Sequence, residues 1–214
     1  MNTGLLLIAI FGYAVGCIPT AWIVFRISHG KDIREHGTGN VGAMNTYDVS
    51  GSKRLGILVF LLDALKGAGA VGLARLIHGD WFAATAIVTF FMLVGHNYNV
   101  LLKFKGGRGL APATGAFIVL NPFAILIWDI MYLTGYYAIR KNVHVGAVAG
   151  TIGLAALMFS TPDGIVTYTT LVDLHTPMQM RLLIGACCLV ILLRHAEPIR
   201  ALLREMDAEE DDAA

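Results

Sequence analysis

Long hydrophobic runs dominate the chain, and short polar segments separate them. The run 5–25 is uncharged, and its length matches the roughly 20 residues that cross a bilayer. Further apolar runs follow at 55–77, 81–100, 110–120, 123–139, 145–160 and 179–193. Each is typical of a membrane helix, although 110–120 is short for a full crossing. The pattern predicts an all-α integral membrane protein with about seven transmembrane helices.

The polar segments between these runs indicate an orientation. The pair Asn121-Pro122 is a break signal, and charge bias decides whether 110–120 and 123–139 form one crossing or two. Two crossings place Arg140, Lys141 and the cations after 193 on the same side as the cation-rich segment 26–54. We therefore predict two crossings, an external N-terminus, and motif-bearing loops and a C-terminus on the cytoplasmic side.

Composition agrees with a membrane domain. Of the 214 residues, 56% are hydrophobic and only 14% are charged, whereas a soluble domain carries roughly 25% charged residues. We expect one polytopic membrane domain over 1–200, and a cytoplasmic tail over 201–214 that ends in a disordered acidic stretch. The three cysteines lie in apolar runs and are expected to be packed side chains rather than disulfides or metal ligands.

One apolar run contains two opposite charges, Asp63 and Lys66. Residues three apart share a helix face and can pair. Because charges within a membrane span are costly, they normally face the interior of a bundle. A neutralised structural pair and a functional pair both fit the pattern, and both direct this face inward.

The segment 103–109, Lys-Phe-Lys-Gly-Gly-Arg-Gly, concentrates three cations and three glycines in seven residues. Glycines let backbone N–H groups approach an anion, and arginine can hold two phosphate oxygens at once. A basic loop that fixes membrane orientation explains the same composition. The segment therefore indicates either a phosphate-binding loop or a topological signal.

A second donor-rich segment, 37–45, reads Gly-Thr-Gly-Asn-Val-Gly-Ala-Met-Asn. Its hydroxyl, amide and backbone donors suit an oxyanion, although a turn-rich loop explains the segment equally well when it is taken alone. Because both segments are predicted on the same membrane face, together they favour a ligand with two anionic groups.

These segments resemble the motifs of the bacterial acyl-phosphate-dependent glycerol-3-phosphate acyltransferases. The run 38–45 is similar to the family's serine-glycine-asparagine-x-glycine-x-x-asparagine motif, and 105–109 is similar to lysine-glycine-glycine-lysine-glycine. Gly95-His96 precedes the second motif as in many members, and Arg194-His195 resembles the third. The kink at 16–19 and the run 63–67 also match, so the resemblance covers nearly the whole chain in order.

The resemblance implies an enzyme of phospholipid synthesis in the bacterial inner (plasma) membrane. It would transfer an acyl group from acyl phosphate to glycerol 3-phosphate, giving lysophosphatidic acid and phosphate without a metal or an organic cofactor. Its partners would be these substrates and membrane lipids, with no nucleic acid. The implied phosphate- and substrate-binding residues are Thr38, Gly39, Asn40, Gly42, Asn45, Lys105, Gly106, Gly107 and Arg108. The implied catalytic residue is His195, with Lys66, Asp63, Asp48, His96 and Arg194 as candidate supporting residues.

Several residues depart from the family pattern. Asp48 stands where the family has an arginine, Pro198 replaces an asparagine, and His144 stands near a serine of the third cytoplasmic loop. Arg34 or another loop cation is a candidate partner for Asp48. These departures keep two alternatives open. One is a divergent member that binds another phosphorylated or lipid ligand with little acyltransferase activity, and the other is an anion transporter.

Overall fold

The computed structural model describes residues 3–213, without the side chains of 205 and 209–213. This part of the chain contains ten α-helices and two short 3₁₀ turns, at Ile33–Glu35 and Val100–Leu102. The helices are α1 (Thr3–Gly16), α2 (Thr20–His29), α3 (Ala43–Ser50), α4 (Lys53–His78), α5 (Phe82–Asn97), α6 (Leu110–Leu120), α7 (Pro122–Ala138), α8 (Val143–Ser160), α9 (Asp163–Thr169) and α10 (Pro177–Ala213). The predicted all-α architecture is confirmed.

Five helical segments of the described chain are long and apolar enough to cross a membrane. They are Thr3–His29, Lys53–His78, Phe82–Leu102, Val143–Ser160 and Pro177–Ala208. The helices α6 and α7 are shorter, with 11 and 17 residues. The count of seven crossings and their orientation stay predictions.

The first span is broken between α1 and α2, where the sequence predicted a kink. Lys66 Nζ donates to the carbonyl oxygens of Gly16 at 3.4 Å and Ile18 at 3.0 Å. Asn99 Nδ2 donates to the Cys17 carbonyl oxygen at 2.8 Å. Carbonyls freed by a helix break must be paired inside a membrane protein, because hydrocarbon offers no donors. Side chains from two other parts of the chain therefore stabilise this break.

The second predicted break is also present, because Asn121 separates α6 from α7. Its side-chain oxygen accepts a hydrogen bond from Ala124 N at 3.0 Å and so caps α7. Its amide nitrogen donates to the hydroxyls of Thr169 and Thr170 at 3.2 and 3.0 Å. The buried Asn121 thus ties α6 and α7 to α9, a helix that the apolar pattern did not predict.

Glycines allow close contact between pairs of helices in the bundle. The most extensive helix contacts are those of α7 with α8, α1 with α5, and α4 with α6. A Cβ atom at Gly67 on α4 would overlap the Pro112 carbonyl oxygen, and one at Gly115 on α6 would overlap the Ala64 carbonyl oxygen. Small residues at such contacts let two backbones approach, as is common in membrane bundles.

The last helix continues beyond the third motif. The backbone of α10 is helical to Ala213, with Pro198 inside the helix. The side chains of the acidic stretch 209–212 lie outside the described residues, and its predicted disorder stays a prediction.

Candidate functional site

Four segments that are distant in sequence meet around one cavity of about 950 Å³. They come from 32–40, 102–108, 142–144 and 193–202. Seven of the residues implied by the motif resemblance line this cavity: Thr38, Gly39, Asn40, Lys105, Gly106, Arg108 and Arg194. The fold therefore brings parts of all three motif regions to one place, as the sequence predicted for the two donor-rich segments.

Asn45 fixes the shape of the donor-rich segment 37–45 through hydrogen bonds to its backbone and to Thr38. It is buried, and its side-chain oxygen accepts hydrogen bonds from the Thr38 backbone N–H at 2.9 Å and the Thr38 hydroxyl at 3.2 Å. Its amide nitrogen donates to the carbonyl oxygens of His36 and Asn40 at 3.1 and 3.0 Å. Asn45 thus organises the loop that presents Thr38 and Asn40 to the cavity.

The segment 103–109, called here the glycine-cation loop, is held on both sides. The Gly107 backbone N–H donates to the His96 carbonyl oxygen at 3.1 Å. Arg194 donates from Nε to the Gly107 carbonyl oxygen at 3.1 Å and from Nη2 to the Gly106 carbonyl oxygen at 2.9 Å. The Arg194 guanidinium also lies over the Tyr98 ring, 5.7 Å from its centroid. Arg194 of the third motif therefore positions Gly106 and Gly107 of the second motif.

Arg108 is the half-buried cation of this loop. Burial lowers the pKa of its guanidinium, and the positive charge of Arg194 acts in the same direction, while Glu197 opposes them. Within the part of the chain that the structure describes, no hydrogen bond or ion pair holds the Arg108 side chain. A partly desolvated guanidinium with free donors at a cavity wall favours an anionic ligand.

Arg34 also lines the cavity, but its charge is already paired. Its Nη2 lies 2.6 Å from the Asp32 carboxylate, and its Nε donates to the same group at 3.0 Å. These hydrogen bonds hold the pKa of Asp32 well below its ordinary value and raise the pKa of Arg34. The suggested pairing of Arg34 with Asp48 is therefore replaced by the pair Arg34–Asp32.

The predicted pair Asp63–Lys66 lies at the centre of a buried polar cluster. Lys66 Nζ is 2.8 Å from the Asp63 carboxylate and 2.9 Å from His96 Nδ1. The Thr20 hydroxyl donates to the same carboxylate oxygen. Since an ammonium only donates, His96 Nδ1 accepts, and the pairing on one helix face is confirmed. Through Lys66 the cluster contacts the carbonyls at the break in the first span. Through His96, whose carbonyl oxygen accepts from Gly107 N–H, it also contacts the glycine-cation loop.

His195 is buried beneath the cavity rather than on its wall. It is 1% exposed, and its Nδ1 lies 2.9 Å from the Ile191 carbonyl oxygen, so Nδ1 carries the proton. Its ring packs against His144 with 6.3 Å between ring centroids. His144 does line the cavity. The histidine that reaches the cavity is therefore one to which the sequence assigned no role.

The remaining motif residues lie away from the cavity wall. Asp48 is exposed on α3, and Gly42 immediately precedes that helix. The others that the cavity does not include are Asn45, Asp63, Lys66, His96, Gly107 and His195. Most of these support the loops, and the sequence pattern does not separate such supporting residues from those that reach the cavity.

A narrow apolar cleft lies among α6, α7, α8 and α10. Its lining includes Phe117, Trp128, Leu154 and Cys188, and it extends to Leu110 and Ile191. Leu110 follows the glycine-cation loop directly, and the Ile191 carbonyl oxygen accepts the hydrogen bond from His195. The cleft, with a volume of about 40 Å³, therefore places an apolar surface beside the polar site.

Comparison with known proteins identifies the family. The profile of the family described as "Glycerol-3-phosphate acyltransferase" matches residues 6–205. A glycerol-3-phosphate acyltransferase of Syntrophotalea carbinolica is 32% identical over 210 residues, which is 94% of this chain and 95% of the relative. One of Anaeromyxobacter dehalogenans is 38% identical over 199 residues, which is 90% of each chain.

A solved structure agrees with this assignment. The fold is similar to that of PlsY (YgiH), an integral membrane glycerol 3-phosphate acyltransferase crystallised in a glycerol 3-phosphate form, with a TM-score of 0.77 and 29% sequence identity. The match covers 94% of this chain and 93% of that structure. The chain is an integral membrane protein that belongs to the glycerol-3-phosphate acyltransferase family.

Proposed function

We propose that this acyltransferase uses acyl phosphate as its donor and releases lysophosphatidic acid and inorganic phosphate. Its family transfers an acyl group to glycerol 3-phosphate. The observation that carries the choice of donor is the Arg108 guanidinium, which is half-buried at the cavity wall beside Lys105 and Gly106. Together with Thr38 and Asn40, which line the same cavity, these groups give donors for two phosphate groups, one from each substrate.

The reaction depends mainly on the positioning of the two substrates and on neutralisation of their phosphate charges. The glycerol 3-phosphate hydroxyl attacks the acyl carbonyl carbon, and phosphate leaves with the electrons of the broken carbon–oxygen bond. Phosphate is a good leaving group, so donors that hold both anions supply much of the acceleration. In this proposal Lys105 and Arg108 neutralise the phosphates. His195 completes the site from beneath, with its Nε2 atom as the available acceptor.

We place the acyl chain along the apolar cleft, whose lining side chains would move apart to admit it. The cleft reaches Leu110 and Ile191, next to the glycine-cation loop and to His195 respectively. A chain that entered there from the bilayer would bring its carbonyl to the polar cavity while its methylene groups stayed in apolar surroundings. The proposal places the reaction where the cleft and the cavity approach each other.

The purified protein tests the proposal directly. Phosphate release from palmitoyl phosphate should require glycerol 3-phosphate, and lysophosphatidic acid should form in equal amount. Turnover with an acyl thioester but not with acyl phosphate would keep the acceptor and overturn the proposed donor. Binding of both substrates without turnover would favour the divergent relative.

The orientation proposed from charge bias has its own test. The native cysteines are buried, so single cysteines at Ser52, Asn142 and Pro162 can be labelled with a membrane-impermeant maleimide. We expect the first two to react only from the cytoplasmic side of inner-membrane vesicles and Pro162 only from the outside, because cations flank the first two. Labelling of Asn142 from the outside and of Pro162 from the cytoplasmic side would contradict the two crossings predicted over 110–139.

A further inference from the structure

Asp129 is an acidic residue on the outer face of α7. This helix, Pro122–Ala138, is apolar and is predicted to cross the membrane. Asp129 lies seven residues after its start and nine before its end, which is about 10 and 14 Å along the helix axis. Its side chain is exposed, and its neighbours Leu126, Ile130 and Leu133 are 49% to 55% exposed. A carboxyl group therefore faces the bilayer near the middle of an apolar helix.

The described part of this chain offers the Asp129 carboxyl group no partner. No hydrogen bond or ion pair engages it within those residues. The helix with the most extensive contact to α7 is α8, which contains no lysine or arginine, and its Thr151 hydroxyl is occupied by Trp128. An aspartate side chain is too short to reach the headgroups from this depth, in contrast to lysine and arginine. The group therefore needs a partner from outside the chain.

A second copy of the chain carries a group that suits this carboxyl. A carboxyl group in hydrocarbon is costly until its polar atoms form hydrogen bonds. In its neutral form it both donates and accepts, so two such groups can satisfy each other. Two copies have the same orientation in a membrane, and a two-fold axis along the membrane normal brings identical residues together at the same depth. Each copy would then supply the partner that the other lacks.

We propose that the exposed face of α7 is a dimer interface, in which Asp129 pairs with the partner's Asp129. The proposal requires that α7 crosses the membrane, but not that the donor is acyl phosphate. Leu126, Asp129, Leu133 and Tyr137 follow at spacings of three, four and four residues, so they share one side of the helix and would pack across the contact. The α7 residues that line the apolar cleft are others: Ala124, Ile125 and Trp128.

Association of the full-length protein in liposomes tests this contact. Copies carry a donor or an acceptor fluorophore at Gly164→Cys, an exposed position whose Cβ would have no neighbour within 4 Å. Energy transfer, measured as the protein-to-lipid ratio is lowered, gives the dissociation constant of the dimer. Asp129→Leu, with unchanged thermal unfolding, should weaken dimerisation by about tenfold, the scale of one hydrogen bond between membrane helices. Asp129→Asn should remain close to the wild type, because an amide also donates and accepts.

The matched control for this loss is Thr134→Val on the same helix. The Thr134 hydroxyl already donates to the Ile130 carbonyl oxygen at 2.9 Å, so it needs no partner from another chain. We expect this variant to dimerise as the wild type does, although it also removes a polar group from an exposed position of α7.

Oxidative cross-linking locates the contact. Leu133→Cys, on the face that carries Asp129, should give a disulfide-linked dimer in membranes, and adding Asp129→Leu to the same chain should reduce its yield. Leu61→Cys on α4, at a side chain that is 50% exposed, is the control on another apolar surface and should stay monomeric. The native cysteines are buried, so the wild type gives the background.

Three results would overturn the proposal. The first is energy transfer that Asp129→Leu leaves unchanged, and the second is equal cross-linking through Leu61→Cys and Leu133→Cys. The third is a monomeric wild type at every protein-to-lipid ratio. In that case a cross-link from Leu133→Cys to a different protein in native membranes would assign the face to another partner.

Discussion

Lys66→Met is expected to lower the free energy of unfolding by about 3–5 kcal/mol, the scale for breaking a buried ion pair from one side. The side chains of Lys66 and Asp63 are only 6% and 2% exposed. Methionine keeps most of the apolar stem but leaves the Asp63 carboxylate with the Thr20 hydroxyl as its remaining close donor. The carbonyl oxygens of Gly16 and Ile18 lose their donor in the same step.

Asp63→Asn should be milder, since it is nearly isosteric and leaves Lys66 its other acceptors. Those acceptors are His96 Nδ1 and the carbonyl oxygens at the helix break. The double variant should recover part of the loss of Lys66→Met, because no uncompensated carboxylate would then remain buried. Unfolding of the detergent-solubilised protein, followed for both single variants and the double variant, gives the coupling between the two charges.

The matched control is Lys53→Met at the start of the same helix. Lys53 is exposed, and a surface substitution of this kind usually changes stability by about 0.5 kcal/mol or less. Equal stabilities of the Lys66→Met and Lys53→Met variants would show that the buried pair contributes nothing to the fold. The same result would remove the role of Lys66 in stabilising the broken first span.

The apolar pattern predicted most of the fold because long hydrophobic runs and break residues are local signals. The kink before Pro19 and the division at Asn121 both appeared where the sequence placed them. Helices α3 and α9 were not predicted, since both are short and lie within polar connecting segments. Local hydrophobic periodicity carries little information about helices of seven or eight residues.

The motif pattern predicted which segments meet but not the contribution of each residue. Thr38, Asn40 and Arg108 line the cavity, whereas Asn45 and His96 hold the loops from behind. A sequence motif includes both kinds of residue, because a loop shape depends on its supports as much as on its exposed donors. Likewise, the position of His144 in front of the buried His195 depends on how α8 packs against α10, which no local pattern records.

A substitution in the glycine-cation loop, Gly106→Ala, is expected to have a large effect on the reaction rate. A Cβ atom at Gly106 would overlap the His96 carbonyl oxygen and lie 2.9 Å from the Asn97 carbonyl oxygen. Both neighbours are backbone atoms, so no change of rotamer can relieve the contact. The loop must therefore shift, and Lys105 and Arg108 on either side of Gly106 would shift with it. Displacements on the order of 1 Å at such a site reduce rates by roughly a hundredfold.

Gly106→Ala should therefore lower kcat/KM for acyl phosphate by roughly a hundredfold to a thousandfold, since both cations lose alignment with the phosphates. The helices should stay assembled, because the change lies in a connecting loop. Gly72→Ala in α4 is the matched control, as its Cβ would have no neighbour within 4 Å. If a folded Gly106→Ala variant had the kinetics of Gly72→Ala, segment 103–109 would serve only to fix the orientation of the protein in the membrane. Loss of turnover with the thermal stability of Gly72→Ala would instead support a loop whose backbone shape holds its cations against the substrate phosphates.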